Sequence, residues 1–188
     1  LEGGDGTDSL VGGLGHDVID GGADVDSLHG REGADTLRGG LGSDTLFGGW
    51  DNDLLIGVER GADGSDVDAA DFLNGGDGDD VLIAGSGDAV VGGEGSDTLV
   101  LGDWVTGEAA DLWDFDATED QIVIVYDDSV TDADPELTLR LSEEDPQTTE
   151  IVVDGHVLGI VATADAPSPE MIVLVGESLA ATLQVGSV

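Results

Sequence analysis

The chain has 188 residues, 43 of them acidic and four basic, all arginine, for a formal net charge of −39. Such a surface repels phosphates and anionic headgroups, which argues against nucleic-acid binding and against an acidic membrane surface. No apolar run reaches the roughly 18 residues of a membrane-crossing helix, no amino-terminal signal peptide is visible, and the absence of cysteine removes disulfides, thiolate zinc and redox chemistry. Hydrophobic residues still make up 39% of the chain, too many for a disordered acidic tail.

Glycine is unevenly placed: residues 1–100 hold 26 of the 32 glycines, whereas the acids are shared almost evenly. The spacing predicts two regions, 1–100 and 101–188. The first is a nine-residue repeat. It reads GGDGTDSLV from Gly3, GGLGHDVID from Gly12, GGADVDSLH from Gly21, GREGADTLR from Gly30, GGLGSDTLF from Gly39 and GGWDNDLLI from Gly48. Residues 57–74 disturb the period, and a loop insertion is expected at about 57–70. The repeat returns as GGDGDDVLI from Gly75, runs one residue short from Ala84, and ends with GGEGSDTLV from Gly92.

Two columns persist. The sixth position is Asp8, Asp17, Asp26, Asp35, Asp44, Asp53, Asp71, Asp80, Asp88 and Asp97; the eighth is always aliphatic, from Leu10 to Leu99. Leu1 falls in phase on the eighth position, so the array is expected to continue upstream in a longer protein, with an upstream domain as its partner.

Six residues rich in Gly and Asp form a turn, because Gly accepts positive φ freely and Asp tolerates it. Three residues carrying one inward aliphatic form a short strand. Two units then make one coil, and stacked coils form two parallel sheets with the aliphatics between them. One core side chain per unit contributes about 1.5–3 kcal/mol, against backbone ordering of about 1–2 kcal/mol for every residue. The stacked carboxylates add repulsion, so the arrangement calls for a cation between them. Carboxylates and turn carbonyls are hard oxygen donors, which suit Ca²⁺ better than Mg²⁺ or zinc.

These units resemble the RTX (repeats-in-toxin, hemolysin-type) calcium-binding nonapeptide. The resemblance implies an all-β fold, a right-handed parallel β-roll followed by a β-rich capping region. It also implies Ca²⁺ between turns, held by carbonyls at positions 2 and 4 and the Asp of one turn, and by carbonyls at positions 1 and 3 and the Asp of the next coil. Carried onto this chain, Gly4, Gly6 and Asp8 would face Gly21, Ala23 and Asp26. Gly13, Gly15 and Asp17 would face Gly30, Glu32 and Asp35, and Gly22, Asp24 and Asp26 would face Gly39, Leu41 and Asp44. Arg31, Gly33 and Asp35 would face Gly48, Trp50 and Asp53, and Gly76, Gly78 and Asp80 would face Gly92, Glu94 and Asp97. Asp71 and Asp88 join the ligand column by phase, for roughly 4–7 ions in all. Arg31 stands where a turn glycine is usual, Asp24 and Asp51 replace the fourth-position glycine, and the 57–74 stretch is expected to break at least one site.

Beyond residue 100, DLWDFDATEDQIVIVY (111–126) resembles the segment that follows such rolls in serralysin-type proteases, and reads as strand, turn and strand. LTLRL (137–141) alternates, EIVVDGHVLGIVA (150–162) reads as a hairpin turning at Asp154-Gly155, and MIVLV (171–175) is an apolar strand. The resemblance implies type I secretion of a bacterial protein, with a signal in roughly the last 50 residues. The acids at 127–136 and 143–145 are expected to be a solvated face.

The sequence contains no HExxH, GxSxG or P-loop pattern, and catalysis is not expected. His16, His29 and His156 are expected in turns or on the surface, and Trp50, Trp104 and Trp113 packed on the cap or the roll's edge rather than forming a sugar platform. The leading expectation is a secreted, extracellular, monomeric calcium-binding module without membrane insertion, which folds on Ca²⁺ and caps an upstream domain. The alternatives are the carboxy-terminal part of a secreted protease or lipase, a calcium-stiffened adhesin or surface-layer module, and plain halophilic acidity.

Overall fold

The computed structural model describes residues 1–129 and 135–177. The secretion signal expected at the extreme carboxy terminus falls, from 178 onward, outside the described residues, as does part of the acidic 127–136 stretch. In chain order the strands are β1 (Glu2–Asp5), β2 (Ser9–Leu14), β3 (Val18–Ala23), β4 (Ser27–Glu32), β5 (Thr36–Leu41), β6 (Thr45–Trp50), β7 (Leu54–Ile56) and β8 (Phe72–Asp77). There follow β9 (Val81–Ile83), β10 (Ala89–Glu94), β11 (Thr98–Gly102), β12 (Ala110–Leu112), β13 (Gln121–Tyr126), β14 (Leu137–Leu141), β15 (Thr148–Val153), β16 (His156–Ala162) and β17 (Ile172–Gly176).

Successive strands alternate between two sheets. One runs β1-β3-β5-β7-β9-β11-β13-β17 and the other β14-β15-β16-β12-β10-β8-β6-β4-β2. Within the repeats all pairings are parallel and in phase, Leu10 opposite Leu28 and Ile19 opposite Leu37. This is a parallel β-roll. The eighth-position side chains fill the space between the sheets, with Ile19, Leu28, Leu37, Leu46, Leu55, Leu73 and Leu82 fully buried.

The strands are longer than the sequence suggests. In β2 to β6 each has six residues and takes in the first residues of the following unit, Gly-Gly as in SLVGGL except for Gly30-Arg31 in β4. Coils in phase bring backbone opposite backbone there too, so that Gly4 pairs with Gly22 and Gly22 with Gly40. Position 2 departs from regular strand conformation by its positive φ, 101° at Gly4 and 108° at Gly22.

The insertion leaves the connection from β7 to β8, residues 57–71, as the break in the period, yet neither sheet loses register. β6 pairs with β8 through Leu46 and Leu73, and β7 with β9 through Leu55 and Leu82. The connection is held against the far end of the roll: the Arg60 guanidinium lies 5.1 Å over the Trp104 ring and 2.5 Å from the Glu177 carboxylate.

The fall in glycine near residue 100 does not interrupt the sheets. β11 pairs with β9 on one side and with β13 on the other, and β12 continues the second sheet beside β10. Trp104, Leu112, Ile122, Ile151 and Val161 join the hydrophobic core that begins at Ile19. The expected hairpin is present as antiparallel β15 and β16, with φ of 49° at Asp154 and 85° at Gly155, and β14 adds to its outer edge.

Candidate metal centre

The sixth-position aspartates stack along the roll, and their two carboxylate oxygens have different fates. Oδ1 accepts the backbone N–H of the column Asp one coil earlier, at 2.7 Å from Asp8 to Asp26, Asp17 to Asp35, Asp26 to Asp44 and Asp35 to Asp53. The ladder crosses the insertion with a 27-residue step, from Asp44 to Asp71 and from Asp53 to Asp80. It absorbs the short unit with a 17-residue step, from Asp71 to Asp88 and from Asp80 to Asp97.

Oδ2 is left over. In Asp17, Asp26, Asp35, Asp44, Asp53, Asp71, Asp80 and Asp97 it is buried and without a hydrogen-bond partner among the described residues. An unpaired buried carboxylate is strongly disfavoured, and Asp35, Asp44, Asp53, Asp71, Asp80 and Asp97 respond as desolvated acids. Burial pushes Asp71 up to about 9, Asp53 and Asp88 to about 7, and Asp80 and Asp97 to about 6, with like-charged neighbours adding to the shift.

The first glycine of each unit shows where the orphaned oxygen points. A Cβ on Gly21 would lie 2.5 Å from the Gly39 carbonyl oxygen and 2.7 Å from Asp26 Oδ2. A Cβ on Gly12 would lie 2.9 Å from the Gly30 oxygen and 2.6 Å from Asp17 Oδ2. The same convergence, a carboxylate oxygen of one coil with a first-position carbonyl of the next, recurs at Gly3, Gly30, Gly48 and Gly75. Glycine therefore keeps open a small cradle lined by hard, anionic oxygens. Ca²⁺ fits this donor set; zinc, which favours nitrogen and sulfur, does not.

Residues 2–37, 29–58 and 65–99 match the family described as RTX calcium-binding nonapeptide repeat (4 copies). This repeat array belongs to that RTX family. Its repeats bind Ca²⁺ and are non-catalytic. No curated protein matches the chain. Among solved structures, the extracellular lipase LipA from Serratia marcescens aligns with 91% of this chain at 18% identity and a TM-score of 0.33. The chain spans 40% of that lipase's length.

Within the RTX array, the structure brings the sequence-derived pairs Asp8–Asp26, Asp17–Asp35, Asp26–Asp44, Asp35–Asp53 and Asp80–Asp97 next to one another. The carbonyls of Gly21, Gly30, Gly39, Gly48 and Gly92 enter the cradles. Third-position carbonyls are already engaged, Ala23, Glu32, Trp50 and Glu94 accepting the N–H of Gly6, Gly15, Gly33 and Gly78. The second-position oxygens of Gly4, Gly22, Arg31 and Gly76 face the glycine at the same position of the next coil, and so do the fourth-position oxygens of Gly15, Asp24 and Gly78. Arg31, Asp24 and Asp51 hold the glycine conformation at φ of 90°, 75° and 72°.

Asp88 differs from the rest of the column: Gly85 N–H donates to its Oδ2 at 2.7 Å, so both its oxygens accept backbone amides. The Asp53–Asp80 cradle, built with the Gly75 carbonyl, was not anticipated, because the insertion separates the two aspartates in sequence. Sequence reasoning also missed two carboxylates beyond the repeats. Asp120 Oδ1 accepts the Asp97 N–H at 3.0 Å, and Asp114 accepts the N–H groups of Gly92 and Gly93 at 2.9 and 3.0 Å. Their signal was the 111–126 segment itself, whose Asp120-Gln121-Ile122 repeats the Asp-x-aliphatic phase of a unit. Of the tryptophans, Trp104 is fully buried with Nε1 donating to the Ala84 carbonyl, while Trp50 and Trp113 are exposed.

Proposed function

We propose that this chain is a calcium-folded module of a secreted bacterial protein, unfolded where calcium is scarce and folded once exported. The observation that carries the reading is the column of buried Oδ2 atoms without partners. Ions seated at the cradles between successive column aspartates satisfy them, from Asp8–Asp26 to Asp80–Asp97 and including Asp53–Asp80.

Extracellular calcium sites have Kd of about 10⁻⁴–10⁻³ M. At a few millimolar calcium a site of about 10⁻⁴ M adds roughly 2 kcal/mol by mass action. Five such sites together give about 10 kcal/mol, the scale of a whole domain's stability. At micromolar calcium the same sites add almost nothing.

The region after residue 100 covers the open end of the roll, which a solenoid requires, and the stacked array stabilises whatever domain lies upstream. The continuous core and the Asp114 and Asp120 contacts support this reading. Circular dichroism during a calcium titration tests the proposal: a random-coil spectrum in excess chelator should become a β spectrum with calcium. A β spectrum at neutral pH that chelator leaves unchanged would overturn it.

A further inference from the structure

Asp68 sits at the third position of the unit that follows the insertion, where other units present a backbone carbonyl to the coil below. In the units beginning at Gly3, Gly12, Gly30 and Gly75, the fourth-position N–H donates to that carbonyl. In the unit beginning at Gly39, the corresponding N–H, that of Gly42, donates instead to Oδ1 of Asp68 at 2.6 Å.

The other oxygen of Asp68 is then buried without a partner, beside the equally unpaired Oδ2 atoms of Asp44 and Asp71. Asp44 and Asp71 are only 2% and 4% exposed, and one oxygen from each of the three carboxylates lies within 4.8 Å of the others. The local cradle has changed to match. The position a Cβ would take on Gly39 lies 2.6 Å from Asp44 Oδ2 and 3.2 Å from Asp71 Oδ2, and no carbonyl oxygen is among its three nearest atoms. At Gly3, Gly12, Gly21, Gly30, Gly48 and Gly75 a carbonyl oxygen is among them.

We propose that the insertion turns the Asp44–Asp71 step into a three-carboxylate calcium site, Asp44–Asp68–Asp71, which is the tightest of the array and the first to fill. The inference rests on the calcium reading of the array. An ordinary step offers two carboxylates, which only balance a divalent ion, whereas three leave the bound site anionic. Ligand charge count is a main determinant of calcium affinity. Three mutually repelling carboxylates also leave the empty site least favourable, so its occupation brings the largest gain.

Calorimetric calcium titration of the full chain against Asp68→Asn tests the assignment. Asparagine keeps the Oδ1 acceptor for Gly42 and removes the charge. The wild type should show one ion bound at least about tenfold more tightly than the rest, and the variant should lose that class while the remaining ions bind as before. An unchanged tight class in Asp68→Asn overturns the proposal. A wild-type chain that binds no calcium overturns the reading of the array, and this site with it. A second measurement needs no variant: hydrogen exchange on the wild type with one equivalent of calcium. Protection should gather first at the amides of Gly42, Asp44 and Asp71. Protection spread evenly from Asp8 to Asp97 overturns the proposal even if Asp68→Asn fails to fold.

Discussion

Asp97, in the last repeat, donates its backbone N–H to Oδ1 of Asp120, which lies outside the repeats. Asp120 thus takes the place that the sixth residue of one more unit would occupy, and Ile122 after it pairs with Leu99 as an eighth-position residue would. The roll ends by imitation, on a segment that keeps the aspartate and the aliphatic but drops the glycines.

Asp120→Ala should therefore weaken the whole array from its end. It removes the acceptor of Asp97 N–H and of Asp116 N–H, at a cost of about 1 kcal/mol for each hydrogen bond lost. The calcium midpoint of folding should rise, while Asp120→Asn, which keeps an Oδ1 acceptor, should shift it less. Thermal unfolding at fixed calcium separates the two, and equal effects would mean that the carboxylate charge matters rather than the ladder.

Position along the ladder should set how many ions an aspartate controls. Asp26 stands between Asp8 and Asp44, its N–H bonded to Asp44 Oδ1 and its own Oδ1 accepting from Asp8. Asp8 has one ladder neighbour, above it, among the described residues. Asp26→Ala should remove about two calcium ions and Asp8→Ala about one, each loss leaving a charge under-neutralised. Calorimetric stoichiometry decides, and equal losses would contradict the coil register.

Acid should replace calcium in part. In the later coils Asp35, Asp44, Asp53, Asp71, Asp80, Asp88 and Asp97 have folded-state values raised above the ordinary 3.8, chiefly by burial, to about 6 for Asp80 and Asp97, about 7 for Asp53 and Asp88 and about 9 for Asp71. A raised value means that the folded state binds protons more tightly than the unfolded chain. The stability from protonation is fully present below about pH 4 and is lost as pH rises through 6 to 9. The calcium-free chain should thus hold a β spectrum in acid and lose it towards pH 9, and saturating calcium should abolish that loss. A calcium-free chain more β-structured at pH 9 than at pH 4 would show the sign to be wrong.

The roll was legible in the sequence because its period is its structure: Leu10, Leu28 and Leu46 recur at the spacing of one coil, and the strands place them one above another. The aspartate column was legible for the same reason. The division of labour within each carboxylate was not, because it depends on which backbone N–H the turn leaves free, and only coil stacking decides that. Asp68 and Asp120 escaped notice because they reach their places out of phase, one through an insertion and the other through a segment without glycine. The passage through residue 100 was obscured by composition, since glycine marks the tight turns of the repeats and not the extent of the sheets.

Glycines at the first and second repeat positions allow a filled cradle to be compared with left-handed φ strain alone. Gly21 lies outside the left-handed region, so alanine is allowed there by φ; its new Cβ would meet the Gly39 carbonyl oxygen at 2.5 Å and Asp26 Oδ2 at 2.7 Å, so the next coil must shift and the space where the ion is expected is filled. The Gly21 carbonyl itself is retained. Gly4 has φ of 101° and nothing within 4 Å of its Cβ position, so alanine there costs about 1–2 kcal/mol of left-handed strain and obstructs no cradle. Gly21→Ala should lower the bound-calcium count by about one and raise the folding midpoint. Gly4→Ala should lower thermal stability at a given calcium concentration and keep the full count. If Gly4→Ala loses an ion and Gly21→Ala does not, the ion sits at the second-position carbonyls and not against the first glycine.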